Sequence, residues 1–424
     1  MKNRTLLGAV VCCGALVLAG LTPGANAQRG RRGGGGEGFS FRFLGPAAGN
    51  RVAAVAGVPG DASTYYAGAS SGGVWKTTDG GSNWRPIFDN QDVAAIGALA
   101  VAQSSPNIVW AGTGEAWAIR DIDVTGDGIY QSVDGGKTWK NMGLKESGRI
   151  GRIVIDPKNA DNIYVCALGR LGGPQKDKGV YHTADGGKTW TQSLFVNENT
   201  GCSGLNMDTH DSNTLIAGMW QVEMHPWAEL SGGEGSGVYI THDGGAHWRH
   251  VEGHGMPKPP VGKIDVAIAP TDSNRMYALI ETDKQGSFWR SDDGGENWRL
   301  TSWDRTLIGR AGYYIRIAVS PSDEDRILLS NSGFHVSQDG GESFKEVPWG
   351  GDNHDIWFDP TNSNRFVITH DGKPVALVPY SSTTPRITGT QLPATVASTG
   401  PSAVLRAAAT IWLGRPISTP CSIS

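Results

Sequence analysis

Residues 73–84 read GVWKTTDGGSNW, and the second half of that stretch returns five more times along the chain. The first copy is Thr77-x-Asp79-Gly80-Gly81-x-x-Trp84. The others run from Ser132 through Asp134 to Trp139, Thr183 through Asp185 to Trp190, Thr241 through Asp243 to Trp248, Ser291 through Asp293 to Trp298, and Ser337 through Asp339 to Phe344. Successive aspartates stand 55, 51, 58, 50 and 46 residues apart. Asp-Gly-Gly between two strand-like runs is a hairpin turn, because glycine tolerates positive φ. The aspartate accepts hydrogen bonds from turn N–H groups. The aromatic residue that follows packs back across the hairpin or between neighbouring units.

A second pattern lies upstream of each turn: an apolar strand, a Pro/Asp/Asn-rich turn and another strand. It appears at 51–68 (RVAAVAGVPGDASTYYAG), 96–112, 150–168, 264–279, 314–329 and 355–369 (DIWFDPTNSNRFVIT), and seven such hairpins are counted in all. Each unit therefore has four strands. Four-stranded sheets repeating every ~40–50 residues are the blades of a propeller. The expected fold is an all-β propeller of seven four-stranded blades, the last incomplete, because the pattern stops after His370-Asp371-Gly372. A strand at 39–44 (FSFRFL) or 375–379 is a candidate to close the ring.

The composition fits this picture. There are 61 glycines among 424 residues, about twice the ~7% background, and they recur with the repeat. Lys and Arg number 37 against 41 Asp and Glu, for a formal charge of −4, which disfavours nucleic acid as a partner. Residues 1–27 read as a secretory signal: Lys2 and Arg4, an apolar run, then Ala25-Asn26-Ala27 before Gln28. The expected location is secreted or periplasmic, with no membrane span after cleavage. Residues 28–38 form a Gly/Arg-rich linker, 39–373 the propeller, and 374–424 a tail without Asp or Glu that reads as low-complexity or frameshifted sequence. Cys166 and Cys202 both lie in strand-like segments and are expected to be buried free thiols rather than a bridge.

The turn motif is the Asp-box, or bacterial neuraminidase repeat, and Asp79, Asp134, Asp185, Asp243, Asp293 and Asp339 are its structural aspartates. With FRFLGPA (41–47), GASSGGVWKTTDGG (68–81), GTGEAW (112–117) and GDNHDIWFDP (351–360), the chain resembles the sortilin/vacuolar-sorting-receptor propeller superfamily over residues 39–372. Its texture is similar to that of long secreted bacterial Asp-box proteins, of which it would be a truncated first part. Two-propeller xyloglucan-active glycosidases share the repeat. That resemblance implies a carboxylate acid and base facing each other from the two propellers. Here the position expected for the first-half acid is filled by Ser70, which cannot exchange protons as a carboxylate does. Sialidases also carry Asp-boxes, but their Arg-Ile-Pro signature is missing. Photosystem assembly propellers are a more distant likeness.

Loops joining strands two to three, and four to the next blade, gather on the propeller face away from the Asp-boxes. The expected ligand residues there are Trp117, Arg120, Trp220, His225, Trp227, Trp303, Trp349, Asn353 and His354. Glu115 and Asp355 are the only catalytic candidates. Asp121 to Gly126 briefly matches a calcium loop but has Ser132 where the twelfth-position acid belongs. His225 and His354 lack metal-spaced partners, so neither metal nor cofactor is expected. The function expected is binding of a polypeptide or glycan through the loop face without catalysis; the alternative is a glycoside hydrolase-like protein. The sequence leaves the oligomeric state open.

Overall fold

Seven separate antiparallel sheets follow one another along the chain. A computed structural model describes residues 51–116, 125–347 and 351–370; the signal, linker and tail, and both candidate closing strands, lie outside the described residues. Six sheets each contain four consecutive strands that run from the innermost outward. In blade 1 these are Val52–Gly57, Tyr65–Ala69, Gly73–Thr77 and Arg85–Pro86. The fourth sheet gains a fifth strand, Ala228–Ser231. The seventh contains two among the described residues, Asn353–Asp359 and Asn362–His370. The fold is thus the expected propeller, with two strands of its last blade among the described residues.

Innermost strands are buried on both faces, as VAAVAG (52–57) and IDVAIA (264–269) show; every residue of both, Asp265 included, is buried. That is the pattern of a strand covered by neighbouring blades on each side. Cores form between sheets as well as within them. Tyr65, Ala67 and Trp75 of blade 1 cluster with Val367 and Trp357 of blade 7, so the last blade packs on the first and the ring closes.

The Asp-Gly-Gly turns join third and fourth strands. Around Asp134, Ser132 Oγ donates to Oδ1 at 2.8 Å, the N–H groups of Lys137 and Thr138 donate to the same oxygen at 2.9 Å, and Thr138 Oγ1 donates to Oδ2 at 2.7 Å. The turn is tied to the preceding blade. Trp139 Nε1 donates to the Ile87 carbonyl at 2.8 Å, and its ring stands edge-on to Phe88 at 5.2 Å. Trp190 repeats the bond to Met142 O. The second glycine makes this approach possible: Gly136 has φ 89°, and a Cβ there would lie 2.4 Å from Ile87 Cδ1.

The cysteines correct the expectation of free thiols. Cys166, in the second strand of blade 3 (Asn159–Ala167), is bonded to Cys202 in the innermost strand of blade 4 (Thr200–Met207), with Cα atoms 5.1 Å apart. Both lie in strands, as expected, but these strands belong to facing sheets, and their side chains meet in the core between blades.

Two predictions follow from these ties. Replacing Cys166 and Cys202 by serine should lower the thermal midpoint, the cross-link contributing about 3–4 kcal/mol for its 36-residue separation; an unchanged midpoint in differential scanning calorimetry would count against the bridge. Asp134→Ala should cost ~1 kcal/mol, the usual scale for a capping acceptor. The Thr138 N–H and hydroxyl, as the main causes, hold the Asp134 carboxyl down to about 2, below its ordinary 3.8. Its contribution is therefore full above about 3.8 and lost as pH falls through about 2. The stability gap between wild type and variant should narrow over that range in acid titrations of folding.

Candidate functional site

Innermost strands begin at the loop face, so residues at their first positions converge on the mouth of the hub. Arg51 Nε and Nη2 donate to Glu115 Oε1 and Oε2 at 2.7 and 2.6 Å. Arg152 Nη1 of blade 3 donates to Asp355 Oδ1 of blade 7 at 2.9 Å, and Arg316 Nε of blade 6 lies 3.5 Å from the same oxygen. Arg316 also donates to Asp265 Oδ1 at 3.3 Å and, across the ring, to the Gly151 carbonyl of blade 3 at 3.0 Å. Asp355 Oδ2 accepts the Val55 N–H of blade 1 at 3.0 Å. Both oxygens of Glu115 and of Asp355 are thus held by donors, an arrangement that favours a structural ion pair over a proton shuttle.

Burial also corrects three of the expected ligand residues. Trp220 lies within the long second strand of blade 4, Leu215–His225, and is fully buried. Its Nε1 donates to Ser231 Oγ at 3.0 Å, and Lys263 Nζ sits 4.9 Å above its ring. Asn353 and His354, expected on the loop face, stand at the start of an innermost strand with their side chains buried. His354 Nδ1 lies 3.1 Å from the Val52 carbonyl, and burial pushes its pKa down to about 3. Trp117, Arg120 and Trp349 lie outside the described residues. Among the described residues, no group of three or more His, Cys, Asp or Glu is placed to hold a metal ion.

His225, Trp227 and Trp303 remain at the surface. The second strand of blade 4 runs past its blade and folds back at Pro226-Trp227, pairing Val222 with Ser231 and His225 with Ala228. Alternation explains the extension: Val222 and Met224 turn inward onto Leu168, Leu171 and Trp220, while Glu223 and His225 lie on the other side. At the tip, Trp227 is 81% exposed. Its ring lies parallel to His225, 5.2 Å away with 4° between the planes, and His225 Nε2 is 3.1 Å from Glu223 Oε1. The result is an open indole face backed by a braced imidazole. Trp303, in the connection from blade 5 to blade 6, is 66% exposed.

Between hairpin and hub lies a polar group with no sequence motif. Ser231 Oγ donates to Glu281 Oε2 at 2.7 Å, the Lys263 N–H donates to that oxygen at 2.9 Å, and Lys263 Nζ donates to the Tyr313 carbonyl at 2.8 Å. Glu229 reaches down from the hairpin. Its pKa is raised by burial and then by Glu281. Burial foremost, then Arg316, pulls the Lys263 ammonium down to about 7. Lys263 immediately precedes an innermost strand, and Glu281 immediately follows the apolar strand Asp272–Ile280.

Known proteins resemble this architecture. A family model described as sortilin, neurotensin receptor 3, matches residues 127–255. A xyloglucanase of Acetivibrio thermocellus is 29% identical over 327 residues, covering 67% of this chain and 37% of its own. An oligoxyloglucan-reducing end-specific xyloglucanase of Emericella nidulans is 21% identical over 367 residues, covering 73% and 42%. The solved structure of an ancestral GH74 enzyme superposes with a TM-score of 0.56 at 17% identity, over 78% of this chain and 45% of that one. YCF48 bound to D1 peptide superposes with a TM-score of 0.50 at 15% identity, over 78% and 95%. Together these support a β-propeller of the sortilin-like and GH74 type. The chain spans less than half the length of the curated relatives cited here.

Lys263 generates a pH prediction. Between its folded value near 7 and its ordinary 10.5, the unfolded chain binds more protons, so stability rises with pH in that window. Denaturant titrations should show wild type gaining stability over Lys263→Met as pH rises from about 7 towards about 10. A constant difference would sink the assignment of Lys263 as a buried ammonium.

Proposed function

We propose that this chain is an extracytoplasmic propeller that binds a neutral glycan of the β-glucan kind through its loop face, with Trp227 as the principal contact and no bond-breaking step of its own. The carrying observation is the exposed indole held flat against His225 at a hairpin tip. A sugar ring offers a face of C–H groups that stacks on such a surface, and the neighbouring Glu223 carboxylate accepts hydroxyl hydrogen bonds. Likeness to xyloglucanases supports the choice of glycan. The inter-blade disulfide supports an oxidising compartment, as does the signal-like start of the sequence.

Against hydrolysis stand three features. Ser70 occupies the position expected for an acid and is itself buried. Glu115 and Asp355 are committed to arginines. The chain also matches only part of the two-carboxylate enzymes it resembles. A second reading, an extended polypeptide ligand, draws on the likeness to peptide-bound YCF48, with 95% of that chain covered.

Calorimetry of the purified chain with xyloglucan and cello-oligosaccharides tests the proposal. Binding should weaken at least about tenfold in Trp227→Ala, a loss of ~1.4 kcal/mol, with no reducing ends released over hours. Reducing-end release abolished in a folded Glu115→Gln variant would replace binding with catalysis. Binding of unstructured peptides but no oligosaccharide would favour the second reading.

A further inference from the structure

A separate concavity opens on the loop face at the boundary of blades 4 and 5, and Trp227 is not part of its lining. It encloses about 340 Å³. Its floor is aliphatic, formed by Val251, Met256, Val261 and Ile280 over the core between the two blades. This volume lies at the small end of the range for small-molecule sites, roughly 300–1,000 Å³. It is lined by neither tryptophan nor tyrosine, so it lacks the flat aromatic surface on which a sugar ring stacks.

The rim carries two oppositely charged residues, Lys258 and Glu252. Lys258 is fixed through its backbone: its N–H donates to Gln285 Oε1 and its carbonyl accepts from Gln285 Nε2, both at 2.8 Å. Its side chain is exposed. Glu252 Oε1 lies 2.9 Å from His250 Nδ1. His250 in turn lies flat on Tyr239, 4.4 Å away with 8° between the planes. Burial, its largest influence, lowers the pKa of His250. One cation and one anion thus face an apolar cup.

We propose that this groove binds a free apolar α-amino acid of the leucine class as its zwitterion, the side chain on the aliphatic floor, the carboxylate at Lys258 and the ammonium at Glu252. An aliphatic monocarboxylate or amine would satisfy one rim charge and leave the other without a partner. A longer peptide would lack the free terminus at one end or the other. The site is independent of the glycan reading, and neither stands on the other.

Calorimetric titration of the intact chain with L-leucine, leucinamide, N-acetyl-leucine and glycine tests it. Leucine should bind with a Kd in or below the millimolar range. Each analogue, lacking one charge or the side chain, should bind at least about tenfold more weakly. In Lys258→Ala, leucine should fall to the level of leucinamide; in Glu252→Ala, to that of N-acetyl-leucine. Both positions are exposed on a connecting loop, and unchanged thermal midpoints establish that the variants fold. Absence of heat with leucine up to about 10 mM, or equal binding of leucine and its single-charge analogues, overturns the proposal. Trp227→Ala should leave leucine binding unchanged, which separates this outcome from failure of the glycan reading.

Discussion

At two blade boundaries a carboxylate on one blade's innermost strand takes the N–H of the next blade's innermost strand, and one of these contacts closes the ring. Each blade is its own sheet, so no continuous ladder carries order from one to the next. Asp265 receives Ile317 N–H at 2.8 Å between blades 5 and 6, and Asp355 receives Val55 N–H at 3.0 Å between blades 7 and 1. The contact that spaces an ordinary pair of blades is thus reused at the closure. A buried carboxylate is costly unless its lone pairs are filled. At Asp355 the second oxygen is filled by Arg152 and approached by Arg316, so the charge that closes the ring also ties blades 3 and 6 to it.

That solution constrains function. With Arg316 reaching across to Gly151 and Lys263 buried beside it, the mouth of the hub is occupied by charges that satisfy one another. The face retains its chemistry further out, where loops are long enough to build new surface. Blade 4 does this most clearly. Its second strand is eleven residues long, against five in blade 1, and the excess becomes the hairpin carrying Trp227. The connection from blade 4 to blade 5, residues 251–263, forms the cup beneath Lys258. The buried ion pairs lie at the hub, while the exposed tryptophan and the cup lie on overhangs from the blades.

The fold was legible because its period is carried by residues with strict backbone demands. Two successive positive-φ glycines after an aspartate, as at Gly135 and Gly136, leave a mark that six repetitions make unmistakable. The site was less legible because exposure depends on partners distant in sequence. Trp220 and Trp227 are seven residues apart and looked alike as loop aromatics, yet one lies beneath Lys263 and the other stands in solvent. Asp355 and Arg152 both lie on innermost strands, but their 203-residue separation hid the fact that they neutralise each other. The Cys166–Cys202 bridge escaped for the same reason: strand character was clear, but not which strands face one another.

Tryptophan shows how one side chain serves different ends in this ring. In the repeated turns, its ring packs on an adjoining blade while its N–H is used up, as with Trp139 on Ile87 O. Within strands, Trp220 and Trp289 are buried in cores. Trp227 does neither, although Leu168 and Leu171 lie within reach of its own hairpin's inner side. Burying a large apolar side chain is worth about 1.5–3 kcal/mol, and Met224 on that hairpin obtains it. Strand alternation sends Met224 inward, while the turn at Pro226 places Trp227 outside, where His225 holds it flat. Stacking on a neighbouring ring reduces the ordering that a ligand on the open face would have to impose, which is the basis of the binding proposal.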